Sequence, residues 1–160
     1  MNEQSIVNPA IDEKLRNPPK ILAVDDDKTQ LALYEAMLRT WECERYLADN
    51  IPVALETCWK VPITITLLDL RFSGQPLAGI DFLREIVQMP RRPKVAILTG
   101  YIGGPEYRKI VDPQDADKTD DFVELPRLGH YYVAPKPYTR DALAEILRRN
   151  GIILRPAHAT

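Results

Sequence analysis

Cysteine is nearly absent from this sequence: Cys43 and Cys58 are the only two in 160 residues. Neither has partner ligands at metal spacing, so both read as reduced thiols rather than parts of a disulfide framework or zinc site. Histidine is as scarce. His130 and His158 belong to no ligand cluster and read as structural or solvated. No apolar run approaches the length of a membrane span. Residues 1–19 are polar, carry Pro9, Pro18 and Pro19, and lack the apolar stretch of a secretory signal. An excess of basic residues is missing too: the formal net charge is −2, which argues against a broad face for nucleic-acid phosphates. Phosphate-loop and dinucleotide glycine patterns are absent, which argues against nucleotide enzymes. These absences point to a cytoplasmic protein that binds neither nucleic acid nor membrane.

What remains is an ordinary globule in composition, 45% hydrophobic and 28% charged, long enough for one domain. Short apolar runs at 20–24 (KILAV), 63–68 (ITITLL), 94–98 (KVAIL) and 131–134 read as strands, and 44–47 (ERYL) as a weaker one. Helical spacing marks 28–39, 52–59 and 79–88, and a closing helix over 139–150 with Thr139 as N-cap and Gly151 as its stop. Five alternations of strand and helix predict an α/β fold with a parallel sheet covered on both faces. The domain is expected over residues 20–151, after an N-terminal extension (1–19). The tail, 152–160, is too short for an effector domain.

Ligand sites in open α/β sheets lie at the carboxyl ends of the strands. Asp25, Asp26 and Asp27 follow the first strand, Asp69 the third, Thr99 and Gly100 the fourth, and Lys136 the fifth. A flavodoxin-like, doubly wound five-stranded sheet of order 2-1-3-4-5 brings these ends together on one rim. Clustered carboxylates repel one another, and a divalent cation removes that cost. Mg²⁺ prefers carboxylate, water and phosphate oxygens. A carboxylate beside it can attack phosphorus and form an aspartyl phosphate, with Lys136 offsetting charge and the Thr99 hydroxyl donating to a phosphoryl oxygen. Blander readings remain for each residue alone. The aspartates at 25–27 could cap the next helix, as Asp27 is expected to do. Asp69 could be a turn residue, and Lys136 between prolines plain loop chemistry.

ILAVDDD (21–27), LLDL (67–70), AILTGY (96–101) and APKPY (134–138) resemble the signatures of response-regulator receiver domains, in the same order. The resemblance covers about residues 20–150. It implies that Asp69 is the phosphoacceptor. It makes Asp26 a direct Mg²⁺ ligand, with Asp25 assisting and the backbone carbonyl of Arg71 as a third protein ligand. Thr99 becomes the switch hydroxyl, Gly100 the small residue that admits the phosphoryl group, and Lys136 the family's lysine. The Lys136–Pro137 bond is then expected to be cis. The implied donor is a sensor histidine kinase or a phosphotransfer protein. Output would pass through binding to a downstream protein, and the chain would be no enzyme beyond self-catalysed gain and loss of its phosphoryl group.

Three departures stand beside the resemblance. The family's glycine lies nearer the acceptor than Gly79 does here, so the loop containing Ser73, Gly74 and Pro76 is lengthened. Val133 occupies the position where an aromatic switch residue is usual, with Tyr131 and Tyr132 close by. Thr99 and Lys136 are 37 positions apart, where about 22 to 28 would suffice for a helix, loops and a strand. A short fourth helix ended by Pro113 is therefore expected, followed by an acidic excursion over 112–129, mobile, loosely packed and with at most an extra turn near Phe122–Leu125. Pro135 is expected beside an edge strand. A competing function is a pseudo-receiver, an interaction module that is not phosphorylated. A third class, Mg²⁺-dependent phosphotransferases with an aspartyl nucleophile, tends to carry a second aspartate where Arg71 stands.

Overall fold

A computed structural model describes residues 17–75, 77–100 and 102–158. Most of the expected N-terminal extension, Pro76, Tyr101 and the last two residues lie outside that description. The segments read as strands form β1 (Lys20–Val24), β2 (Glu44–Ala48), β3 (Ile65–Leu68) and β4 (Lys94–Leu98). Between them lie helices α1 (Lys28–Leu38), α2 (Ile51–Lys60) and α3 (Gly79–Ile86). Each start has a chemical reason. Asp27 accepts the Thr29 N–H at the head of α1 and Asn50 accepts that of Val53 at the head of α2, each satisfying an orphan amide of the first turn. The closing helix α5 (Arg140–Arg149) opens under Thr139, whose hydroxyl accepts from Ala142, and ends at Gly151 with φ 75°.

The region after β4 differs from the sequence reading. A short helix α4 (Pro105–Ile110) does end ahead of Pro113. The stretch that follows is no loose excursion. Asp121–Leu125 is a strand, β5, and it pairs antiparallel with β6 (Gly129–Ala134). Pro126 and Arg127 turn the chain between them, Arg127 at φ 70° and the Leu128 N–H donating to the Leu125 carbonyl. The described residues thus hold a six-stranded sheet of order β2-β1-β3-β4-β6-β5, parallel except for the last pair. The flavodoxin-like order of the five parallel strands holds, with one strand added at the edge. The strand leading to Lys136 is therefore interior, and Pro135 lies just past its last residue, where it removes no ladder hydrogen bond.

Period-two alternation splits the core between the faces. Ile21, Ala23, Ile65, Leu67, Ala96, Leu98 and Tyr132 pack with Leu31, Tyr34, Leu143, Ile146 and Leu147 of α1 and α5. Leu22, Val24, Leu68, Val95, Ile97, Tyr131 and Val133 pack on the other face with residues of α2, α3 and α4. The expected loose packing of the inserted region fails here. Tyr107, Val111, Ala116, Val123 and Leu125 are all buried in that second face. The C-terminal segment also lies on the domain: Glu42 N–H donates to Arg155 O, and Ala157 N–H to Thr40 O. No helix among the described residues is long and apolar enough to cross a membrane.

Candidate functional site

Strand register builds the site. Val24 of β1 is paired with Leu68 of β3, so Asp25 and Asp69 leave their strands side by side. Leu98 of β4 is paired with Ala134 of β6, so Thr99 and Pro135 emerge together and Lys136 follows one residue on. Backbone bonds hold these exits: Asp25 N–H to Ala48 O, Asp69 N–H to Val24 O and Thr99 N–H to Ala134 O, each 3.1 Å. The lysine then reaches back over the rim. Its Nζ lies 2.8 Å from Asp25 Oδ2 and 2.9 Å from Asp69 Oδ2.

Asp25, Asp69 and Thr99 are all buried, whereas Asp26 is exposed. Asp25, Asp26 and Asp69 each offer a carboxylate oxygen within 4.8 Å of the other two. Asp25 Oδ1 accepts the Asp27 N–H, and Asp26 Oδ2 accepts the Ser73 N–H at 2.8 Å. Asp25 Oδ2 is buried, and the Lys136 ammonium is its charge partner. Burial raises the Asp25 pKa, against the pull of Lys136 and the Asp27 N–H. Burial also opposes the Lys136 charge, but the two carboxylates outweigh it and raise its pKa. Three carboxylates whose oxygens lie within 4.8 Å of one another, against one ammonium, form a donor set that suits a hard divalent cation with oxygen ligands.

Asp25, Asp26, Asp69, Thr99 and Lys136, singled out from sequence, are thus brought to one rim. Arg71 stands on the loop leaving β3, and its N–H approaches Asp69 Oδ1 at 3.4 Å. Gly100 borders open space, since a side chain there would meet nothing within 4 Å. The Lys136–Pro137 bond is not cis, because no described peptide bond is. Trans is the intrinsic preference of any such bond, and the lysine spans both carboxylates from it. Alternation also settles the neighbours of Lys136. Val133 and Tyr131 lie on the face shared by α2, α3 and α4, whereas Tyr132 lies on the face with α1 and α5. The Tyr131 hydroxyl is tied to Leu128 O at 2.6 Å.

Three contributors escaped the sequence reading. Tyr34 is buried on α1, and burial together with the negative charges of Asp25 and Asp69 raises its pKa well above the tyrosine range. Gln30, one turn before it, is buried and donates to Pro137 O at 3.4 Å, tying α1 to the lysine loop. Ser73 contributes only a backbone N–H, which has no signature in sequence beyond the Ser-Gly turn signal.

The family model described as response regulator receiver domain matches residues 21–148. The chain is 29% identical over 136 residues to the transcriptional regulatory protein ZraR of Klebsiella oxytoca, covering 78% of this chain and 30% of that relative's length. It is similar to the receiver domain solved from Bermanella marisrubri, with TM-score 0.61 and 25% identity over 85% of this chain and 98% of that one. A CheY-like receiver from Methanospirillum hungatei gives 0.63 at 19% identity, covering 84% and 94%. The response regulator TrrA of Thermotoga maritima, solved in complex with Mg²⁺-BeF, gives 0.56 at 23% identity, covering 82% and 97%.

Proposed function

This chain belongs to the response regulator receiver domain family, and from that membership we propose that it takes a phosphoryl group on Asp69 from a phosphohistidine donor. The observation that carries the reading is the placement of Lys136 Nζ between the buried carboxylates of Asp25 and Asp69. An acceptor carboxylate needs a site that offsets incoming negative charge, and the Lys136 ammonium beside Asp69 supplies that charge.

Asp25, Asp26, Asp69 and the backbone carbonyl of Arg71 would hold Mg²⁺. When bound, Mg²⁺ supplies positive charge against the carboxylates and the phosphoryl oxygens. An Asp69 oxygen forms the new bond to phosphorus. The P–N bond to the donor imidazole breaks and its electron pair returns to the ring. Lys136 offsets the charge of the transferred group, and the Thr99 hydroxyl donates to one of its oxygens. The protein acts as an acceptor rather than an enzyme, its own site promoting phosphoryl gain and loss. A sensor histidine kinase or phosphotransfer protein is the donor, in the cytoplasm, and output is binding to a downstream protein.

A pseudo-receiver is the second reading. Val133 on the α4-facing side, in place of an aromatic ring, favours it; the assembled acid rim with its lysine favours phosphorylation. Intact mass after incubation with a small phosphodonor and Mg²⁺ decides between them. The expected result is a gain of one phosphoryl group that Asp69→Asn abolishes. No gain in the wild type, with donor and Mg²⁺ in excess, leaves the interaction module.

A further inference from the structure

The lengthened loop after Asp69 is built, not slack. Leu70 O accepts the Gly79 N–H at 2.7 Å, which closes the base of the loop. Inside it, Phe72 and Gln75 exchange both backbone hydrogen bonds, at 3.1 and 2.8 Å. Ser73 and Gly74 between them have φ of 51° and 76°, the double positive φ of a type I′ turn, whose twist suits a tight hairpin. Phe72 is buried and roots the turn in the core face shared by α2, α3 and α4. At the tip, Ser73 N–H donates 2.8 Å to Asp26 Oδ2 across 47 positions of sequence.

Asp26 is the exposed member of the carboxylate trio, so burial does not fix its rotamer as it does those of Asp25 and Asp69. An unrestrained aspartate samples several staggered states and loses that freedom on binding. We propose that the turn Phe72–Gln75 is a positioning arm: the Ser73 N–H holds one Asp26 oxygen and thereby orients the carboxylate toward Asp25 and Asp69, raising divalent-cation affinity. Hydrogen bonds to ligating carboxylates commonly contribute about ten- to hundredfold in metal affinity. This inference rests on the Mg²⁺ reading of the rim and adds residues that the reading does not contain.

Gly74 allows a test that leaves the ligands intact. A side chain there would meet nothing within 4 Å among the described residues, so its penalty is the left-handed backbone. Valine cannot adopt that conformation easily, whereas asparagine does so at little cost. The experiment is an amide-shift titration of the full chain with Mg²⁺ alone, on wild type, Gly74→Val, Gly74→Asn and Asp26→Asn, with thermal unfolding recorded for each. Wild type is expected to shift at Asp25, Asp26, Asp69 and Ser73. Gly74→Val is expected to need about ten- to hundredfold more Mg²⁺, and Gly74→Asn to stay near wild type. If Gly74→Val fails to fold, deletion of Ser73 and Gly74 takes its place, with the same loss expected. Gly74→Val or the deletion titrating like wild type while Asp26→Asn is weakened overturns the arm and leaves the metal site standing. Equal losses in Gly74→Val and Gly74→Asn overturn it as well. A wild type whose rim amides ignore Mg²⁺ overturns both.

Discussion

Asp115 Oδ2 accepts the backbone N–H of Glu124 at 2.8 Å, and the Glu124 carbonyl accepts the N–H of Asp112 at the same distance. Both backbone groups of Glu124 therefore turn away from β6 and are satisfied by the short 3₁₀ turn Pro113–Asp115 and the residue before it. An unpaired edge strand is a template for pairing with another chain, and this turn covers the centre of the β5 edge. The acidic residues of the segment thus have a structural task beyond solvation.

That task gives a pH dependence. The Lys118 ammonium, 2.9 Å from Asp115, and the Glu124 N–H hold the Asp115 carboxyl below its ordinary value of 3.8. A depressed folded-state pKa contributes stability that is present above the unfolded value and lost as pH falls through the folded one. The unfolding temperature of Asp115→Ala should lie below that of wild type near neutrality, and the gap should close as pH falls below 3.8. A gap that persists into strongly acid solution would assign the effect to packing instead.

Lys136→Ala leaves two buried carboxylates facing each other without their counter-charge. Breaking such a pair costs several kcal/mol when fully buried; with the lysine partly exposed, about 2 kcal/mol is expected at neutral pH. Mg²⁺ should recover part of the loss, since a divalent cation offsets the same charges. Thermal unfolding with and without Mg²⁺ measures both. An unfolding temperature equal to wild type in the absence of Mg²⁺ would contradict the pairing.

Tyr107 fills the core of the added region, yet its buried hydroxyl has no hydrogen-bond partner among the described residues. Burial raises its pKa to about 12. Removing an unsatisfied buried hydroxyl relieves a desolvation cost, so Tyr107→Phe should be neutral or stabilise by about 1 kcal/mol. Tyr107→Ala should cost about 3–5 kcal/mol through the cavity it leaves. Denaturant unfolding separates the two. A destabilised Tyr107→Phe would mean that the hydroxyl is satisfied.

Four of the five parallel strands were legible because their core segments are buried on both faces and so read as unbroken apolar runs, as KILAV and KVAIL do, whereas β2 at the sheet edge is mostly exposed and carries a weaker signal. The rim was legible for a related reason. Asp25, Asp69, Thr99 and Lys136 follow such runs closely, and strand order converts that position into proximity. The sixth strand was not. DFVEL does alternate, with Val123 and Leu125 inward and Phe122 outward, but the Asp120-Asp121 pair at its start and Pro126 after it carry the signature of a loop. Tertiary pairing with β6 overrode that local signal. Ser73 could not be read as a partner of Asp26 either, because what it contributes belongs to every residue except proline.

Gly79 has a consequence for how this chain tolerates change in length. A methyl group there would sit 2.5 Å from the Asp69 carbonyl and 2.9 Å from Leu70 Cα, so the two segments touch at a point where only hydrogen fits. Residues added between Leu70 and Gly79 bud outward from that crossing, and the crossing itself stays put. Insertions can therefore vary in size and composition without moving the acceptor carboxylate. A side chain larger than hydrogen at Gly79 would displace it, whatever the loop contains.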